Sequence, residues 1–217
     1  FDIKNDIHVI PNFIELDKHR NESLISCQRS VMAKPEERII THISNFRRVK
    51  RIPDVIKIFY KIQQEILSKL MMVGDGPEKE AAEQMCVDLG IQDKVIFFGN
   101  SNEIDQILSY SDLFLLPSET ESFGLAALEA MAWSVPVISS NSGGLPEVNF
   151  DGQSGFLSAV GDVESMSKNA LYILSNNETL STFKSNALAV AKQFDILNIL
   201  PLYEELYEKA LSETIKH

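Results

Sequence analysis

The sequence predicts an α/β sandwich built on a doubly wound parallel sheet, and three observations carry that prediction. From about residue 38, short β-branched apolar runs alternate with longer amphipathic segments. The apolar runs show no polar alternation, which suits strands buried on both faces of a parallel sheet. Turn residues separate the two kinds of segment, and the repeated strand–helix–strand order implies right-handed crossovers.

Arg38 to Ser44 reads as the first strand. The segment from Pro53 to Leu67 places Val55, Ile56, Phe59, Ile62 and Ile66 on one face at helical spacing. Lys69 to Val73 is a second strand, ended by Gly74-Asp75-Gly76-Pro77. Its helix runs from about Glu78 to Leu89 and stops at Gly90, a residue that tolerates positive φ. Lys94 to Phe98 is a third strand, followed by a helix near Glu103 to Tyr110. Asp112 to Leu116 and Val135 to Ser139 flank a helix from about Ser122 to Trp133, and a sixth short strand is expected at Gly155 to Ser158. From Asp162 to Ile215 the pattern is nearly all helical. The first 37 residues differ: a short apolar run, Ile7 to Ile10, ends in Pro11-Asn12 and gives way to polar sequence, as in a connector or the edge of a neighbouring domain.

Composition removes several classes of protein. Of 217 residues, 44% are hydrophobic, 24% charged and 8% aromatic, which excludes collagen-like, fibrous and disordered chains. At roughly 150 residues per domain, the length suggests one large domain, or one domain with an appendage. Lys and Arg number 20 against 31 Asp and Glu, a formal charge of -11. That field repels phosphate, so neither nucleic acid nor an anionic membrane surface is an expected partner, and any bound anion needs a local cationic cluster. No apolar stretch approaches the roughly 20 residues that cross a bilayer. The chain starts at Phe1 without a leader pattern and is expected to be part of a longer polypeptide. Cys27 and Cys86 stand in no metal or redox spacing, which fits a reduced cytoplasmic protein. The four histidines, His8, His19, His42 and His217, are scattered, so no metal site is expected.

In an open α/β sheet, ligands bind beyond the carboxyl ends of the strands. Three such loops carry chemistry. After the first strand, Arg47, Arg48, Lys50 and Arg51 place four of the 20 cationic residues within five positions. This is either a solvated basic turn or a diphosphate site, where arginine binds bidentately beside a helix N-terminus. The second loop, Gly74-Asp75-Gly76-Pro77, is not GxGxxG and has no Walker lysine, so alone it means little. The third runs from Ser118 to Glu129, with Glu121 and Glu129 eight positions apart. Eight helical residues rise about 12 Å, too far for a glycosidase acid–base pair, whose carboxyls stand about 5–9.5 Å apart. The spacing better suits one extended ligand with a carboxylate accepting hydrogen bonds from hydroxyls at each end. The amides of Phe123, Gly124 and Leu125 would then face its negative middle. The alternative is that Glu121 merely complements the helix dipole and Glu129 is a surface residue. Elsewhere, Trp133, Phe123, Met71 and Met72 read as core packing and Cys86 as an inert core thiol. His42, inside the first strand, reads as a satisfied core histidine rather than a ligand.

ESFGLAALEAMAWSVPVI (Glu121 to Ile138) resembles the Glu, seven residues, Glu motif of family 4 retaining glycosyltransferases. These are GT-B enzymes, with two Rossmann-like domains facing each other across a cleft. VGDGPE (Val73 to Glu78), VIFFGN (Val95 to Asn100), SGGLPEV (Ser142 to Val148) and DGQSGFL (Asp151 to Leu157) follow in family order. HVIPNFIE (His8 to Glu15) is similar to the connector entering the nucleotide-sugar domain. More narrowly, THISNFRRVKRIPDV (Thr41 to Val55) resembles the bacterial enzymes that join N-acetylglucosamine to L-malate in the first step of bacillithiol synthesis. Where most of the family carries Gly-Arg, this chain has Asn45-Phe46, and Arg47 takes the arginine's place beside Lys50.

The resemblance implies a division into residues 1–37, a connector or edge of a missing N-terminal acceptor domain; 38–199, a Rossmann-like nucleotide-sugar-binding domain; and 200–217, a C-terminal helix crossing back toward the missing domain. It implies that Glu121 meets a hydroxyl of the transferred sugar and that Arg47 and Lys50 neutralise the diphosphate, aided by the amides of Phe123, Gly124 and Leu125. Glu129 would hold the ribose of UDP, and the backbone from Phe98 to Asn100 would meet the uracil edge. The donor is then UDP-N-acetylglucosamine, with no metal or cofactor needed, and L-malate binds through the missing domain. A homo-oligomer stays open, and the fragment alone is expected to bind UDP but turn over poorly. Two other readings remain at this stage: a nucleotide-sugar 2-epimerase of the same architecture, or a transferase with another acceptor. A non-catalytic interaction module is a third.

Overall fold

The structure, a computed structural model, describes residues 7–19 and 29–214. Cys27, His217 and the expected helix end at Ile215 lie outside the described residues. Among the described residues the strands are Arg38–Ile43 (β1), Ser68–Val73 (β2), Val95–Gly99 (β3), Leu113–Leu116 (β4), Val137–Ser140 (β5) and Gly155–Ser158 (β6). They pair in parallel in the order β3-β2-β1-β4-β5-β6. The helices are Leu16–His19 (α1), Ile52–Glu65 (α2), Lys79–Asp88 (α3), Ile104–Tyr110 (α4), Leu125–Ala132 (α5), Leu145–Val148 (α6), Val163–Leu174 (α7), Asn177–Ala191 (α8) and Ile196–Thr214 (α9). The predicted doubly wound parallel sheet is therefore the fold found.

Both faces of the sheet are covered, which is why its strands read as unbroken apolar runs. Ile40, Leu70, Met72, Leu113 and Leu115 face α2, α3 and α7, where Val55, Phe59, Cys86 and Met166 complete one core. Their strand neighbours point the other way. Phe114, Leu116 and Val137 pack on α5 and α8, and Ile39, Met71 and Val73 pack with Ile107 of α4. Met71, Met72 and Cys86 are buried as read from the sequence.

Three boundaries move for identifiable reasons. The helix expected from Ser122 begins at Leu125, because Gly124 adopts φ 103°, which a helix interior does not accept. The strand expected from Val135 begins at Val137, because Pro136 has no N–H for the ladder, although its carbonyl accepts from Phe114 N at 2.9 Å. The last helix, expected from about Leu200, begins at Ile196 and runs through Pro201. Asp195 starts it, its Oδ1 accepting from Leu197 N at 2.8 Å.

The described part of the first 37 residues is bound to the domain rather than trailing from it. Ile14 N donates to Phe194 O at 3.0 Å and Ile14 O accepts from Ile196 N at 2.8 Å. Met32 and Ala33 are buried against Ile39 and Met71. Asp112 ties these parts together. Its Oδ2 accepts from Ile39 N at 3.0 Å and from Arg29 Nη2 at 3.3 Å, and its Oδ1 accepts from Lys184 Nζ at 2.9 Å. One buried carboxylate thus joins the start of β1, the segment before it and α8. Removing it leaves a buried amide without that acceptor and takes the carboxylate partner from Lys184 and Arg29. Asp112→Ala is expected to lower unfolding free energy by about 2–4 kcal/mol, read as a lower urea midpoint with unchanged slope.

Candidate active site

The chain reverses its winding direction between β1 and β4, so the crevice outside their carboxyl ends is the topological switch point where this class of sheet binds ligands. Two loops line it: residues 44–51 after β1 and 117–124 after β4. A bond from Glu119 N to Val49 O, at 2.7 Å, joins them directly.

Each loop is held from behind by a glycine turn. A Cβ at Gly74 would come within 1.7 Å of Ser44 O, so the turn after β2 packs its bare backbone against the β1 loop. Glu78 N also donates to Phe46 O at 3.0 Å. Phe46 is fully buried at φ 31°, its ring edge-on to Phe97 at 6.4 Å. The Gly74–Pro77 turn, uninformative alone in the sequence, is the backing of the basic loop. On the other side, a Cβ at Gly143 would come within 1.9 Å of Glu121 O, and Gly144 N donates to that same oxygen at 2.8 Å. Ser142 Oγ donates to Glu119 O at 2.6 Å.

With both backbones fixed, Lys50 Nζ reaches Glu121 Oε2 at 2.5 Å, the side chains only 19% and 16% exposed. The structure thus brings together two of the residues singled out in the sequence. Arg47 lies on the same loop, exposed, just before a turn of 3-10 helix at Arg48–Lys50. Helix α5 starts beside them. Its first amides, from Gly124 through Ala126, precede the first intrahelical donors, Ala127 N and Leu128 N, which both reach Gly124 O at 3.0 and 3.1 Å. The ring of Phe123 turns to Phe194 at 5.8 Å, so only its backbone can serve a ligand. A side chain at Gly124 would meet Leu145 Cδ2 at 2.9 Å.

Because α5 begins only at Leu125, the continuous helical rise assumed between Glu121 and Glu129 covers half the interval. What distinguishes the two carboxylates is their surroundings. Glu121 is paired with Lys50. Glu129 is half-buried, and loss of solvent holds its pKa above the ordinary glutamate value, with nearby His19 lowering it and Asp105 raising it. Sequence reading missed this second cluster. His19 Nδ1 and Trp133 Nε1 both bond Asp105 Oδ1 at 2.8 Å. His19 ends α1, Trp133 follows the last residue of α5 and Asp105 lies in α4, and no local pattern announces them. Trp133 is consequently half-buried and hydrogen-bonded rather than simple core. Phe98 and Asn100 sit at the end of β3, the edge strand, half-buried and exposed respectively. Asp105 lies in the first turn of the helix that follows them.

His42 ends beneath the same crevice. It is fully buried, with Nδ1 donating to Leu115 O at 2.8 Å and Nε2 accepting from Ser44 Oγ at 2.8 Å. Both ring nitrogens are used by the neutral form, as expected of a core histidine. Burial lowers its pKa to about 4, opposed by the Leu115 carbonyl and assisted by Lys50.

The sheet order and the loops over its switch point define a Rossmann-like α/β domain. Residues 28–190 match the family Glycosyl transferases group 1, and the chain belongs to that family. It is 39% identical over 209 residues to N-acetyl-alpha-D-glucosaminyl L-malate synthase of Bacillus anthracis, covering 96% of this chain and 55% of that protein. It is 28% identical over 167 residues to sulfoquinovosyl transferase SQD2 of Arabidopsis thaliana, covering 75% of this chain and 31% of that one. Among solved structures, HepE of Anabaena in complex with UDP superposes with a TM-score of 0.85 at 25% identity, over 93% of this chain and 57% of that chain. The chain spans about half the length of the Bacillus relative and of the HepE structure. The Rossmann-like fold expected of one half of a GT-B enzyme is thus the fold observed.

Two pH dependences follow. His42 is unprotonated in the native state down to about pH 4. The unfolded ring binds a proton near pH 6.5, so native stability is full above that value and falls as pH drops toward 4, by about 3 kcal/mol in all. Denaturant titrations between pH 7 and 4 read this loss. Glu129 works in the opposite direction. Its raised pKa means that stability falls as pH rises past the ordinary glutamate value, so Glu129→Gln is expected to raise the melting temperature at pH 7 and to lose that advantage below about pH 4.

Proposed function

We propose that this chain is the donor-binding half of a retaining glycosyltransferase that transfers N-acetylglucosamine from UDP-N-acetylglucosamine to L-malate, the first step of bacillithiol synthesis. The observation that carries the proposal is the Lys50–Glu121 pair at the switch point, at 2.5 Å, beside the amino end of α5. A cation, free amides and a carboxylate meet there, which is the chemistry a nucleotide sugar requires. The donor class is supported by the UDP complex of HepE. The donor sugar and the acceptor are supported by the name of the Bacillus anthracis relative and by the motif NFRRVKR at Asn45–Arg51.

In this reading Lys50 and Arg47 neutralise the diphosphate together with the amides of Phe123, Gly124 and Leu125. Glu121 accepts a hydrogen bond from a sugar hydroxyl, Glu129 accepts hydrogen bonds from the ribose hydroxyls, and the backbone at Phe98–Asn100 meets the uracil edge. During transfer the bond from the anomeric carbon to the β-phosphate oxygen breaks, and its electron pair stays on that oxygen. The acceptor hydroxyl attacks the same sugar face, bonds to the anomeric carbon and gives its proton to the departing phosphate oxygen. Fixed cations and helix amides stabilise the charge that grows on the diphosphate, so no metal is required. L-malate is held by an N-terminal acceptor domain. Among the described residues no helix is long and apolar enough to cross a membrane. The buried Cys86 thiol, raised to about 11 chiefly by desolvation, suits a reduced cytoplasmic setting.

Calorimetry with UDP tests the assignments. Lys50→Ala and Glu129→Ala each remove a hydrogen bond involving a charged group, so each is expected to weaken UDP by about 10- to 100-fold. Unchanged affinity in both variants overturns the donor reading. For the full-length enzyme, NMR of UDP-N-acetylglucosamine should show UDP release only when malate is present. A manno product without malate would instead make it an epimerase.

A further inference from the structure

Without ligand, the cation proposed to bind the diphosphate is already engaged. Lys50 Nζ stands 2.5 Å from Glu121 Oε2, and both side chains are mostly buried. The backbone of Glu121 is anchored where its carbonyl meets Gly143 and Gly144. That of Lys50 is anchored next door by the Val49–Glu119 bond. An incoming diphosphate must therefore compete with a carboxylate that the fold holds against the same ammonium group.

We infer that Glu121 is a specificity-determining residue that favours the intact nucleotide sugar over the bare nucleoside diphosphate, by competing with the terminal phosphate for Lys50. The inference rests on the donor-site reading above and deepens it. Electrostatics gives the reason. In the intact donor both outer links of the β-phosphate are taken, one by the sugar and one by the anhydride to the α-phosphate, and the sugar hydroxyls offer Glu121 a hydrogen bond that compensates its loosened contact with Lys50. Transfer leaves a terminal phosphate, which carries about one further negative charge at pH 7 because its second ionisation falls near pH 6, as for other terminal phosphates. The hydroxyl partner leaves at the same moment. Glu121 then faces an anion with no donor between them, and re-forming its pair with Lys50 expels the product. The same contact discriminates before the reaction, since UDP alone must break the pair without replacing it.

The test compares UDP and UDP-N-acetylglucosamine binding by calorimetry for the chain and for Glu121→Gln and Glu121→Ala. A melting curve for each variant verifies folding. An ion pair of this burial contributes at least the worth of a surface pair, so removing the competing charge is expected to tighten UDP by about fivefold in both variants. UDP-N-acetylglucosamine should bind no tighter, or more weakly in Glu121→Ala, so the preference shifts toward UDP. In the full-length enzyme the same variants should show stronger product inhibition by UDP. If the wild type binds UDP but folded variants bind it equally or more weakly, this inference is overturned while the donor reading stands. If both ligands tighten equally, Glu121 is a general repulsive charge and the inference is overturned again. A wild type that binds neither ligand overturns the donor reading and this inference with it.

Discussion

The candidate site depends on the Lys50–Glu121 ion pair, and the pair depends on backbones that touch behind it. Two flexible side chains on open loops gain little from pairing, because ordering them costs rotamer entropy and water screens the charges. Here the backbone share of that cost is met by the fold. Glu121 is positioned through its own carbonyl by Gly143 and Gly144, and Lys50 through the carbonyl of Val49. The ordering belongs to the folding of loops already committed to the sheet. The side chains then meet in partial shelter from solvent, where the same charges attract more strongly.

That arrangement sets a local sign against the global one. A chain of formal charge -11 places Arg47, Arg48, Lys50 and Arg51 together at one strand end. One of these cations faces Glu121, and another, Arg51, is tied through Nε to Asp54 Oδ2 at 2.6 Å. Arg47 stays exposed. The basic loop therefore holds two cations paired with carboxylates, Lys50 and Arg51, and two exposed ones, Arg47 and Arg48. Stability is supplied elsewhere, by the two-sided apolar core and by Asp112. The candidate site keeps charges that a stability-only design would remove: a desolvated Glu129 and the half-sheltered Lys50–Glu121 pair.

The fold was legible because parallel strands buried on both faces leave a strong signature, and every predicted strand is found within two residues of its expected limits. What moved was local stereochemistry: Gly124 at positive φ, Pro136 without an N–H, and Asp195 as a cap ahead of Pro201. The site was legible in part. Glu121, Lys50, Arg47 and the start of α5 all lie within single loops, where sequence spacing carries information. The cluster around Glu129 was not legible. His19 and Asp105 are 86 residues apart and meet only because Ile14 is clamped beside α9. A scattered histidine and an ordinary helix-start aspartate give no sign of that before folding. Nor does sequence disclose that Phe46, inside the basic loop, is a fully buried anchor beneath it.

The two acids of the motif differ in a way that gives the site a direction. Glu121 carries a charge already balanced by Lys50, so a ligand group that meets it must bring a replacement donor. Glu129 carries a charge poorly balanced by its surroundings, since desolvation outweighs His19 and Asp105 adds repulsion. Any hydroxyl that reaches Glu129 improves its state, with no existing bond to break. In the proposed reading, one end of the site therefore accepts a diol without breaking a bond, while the other favours a ligand carrying both a phosphate and a hydroxyl beside it. For the proposed donor, the ribose is the unconditional anchor and the transferred sugar is the conditional one.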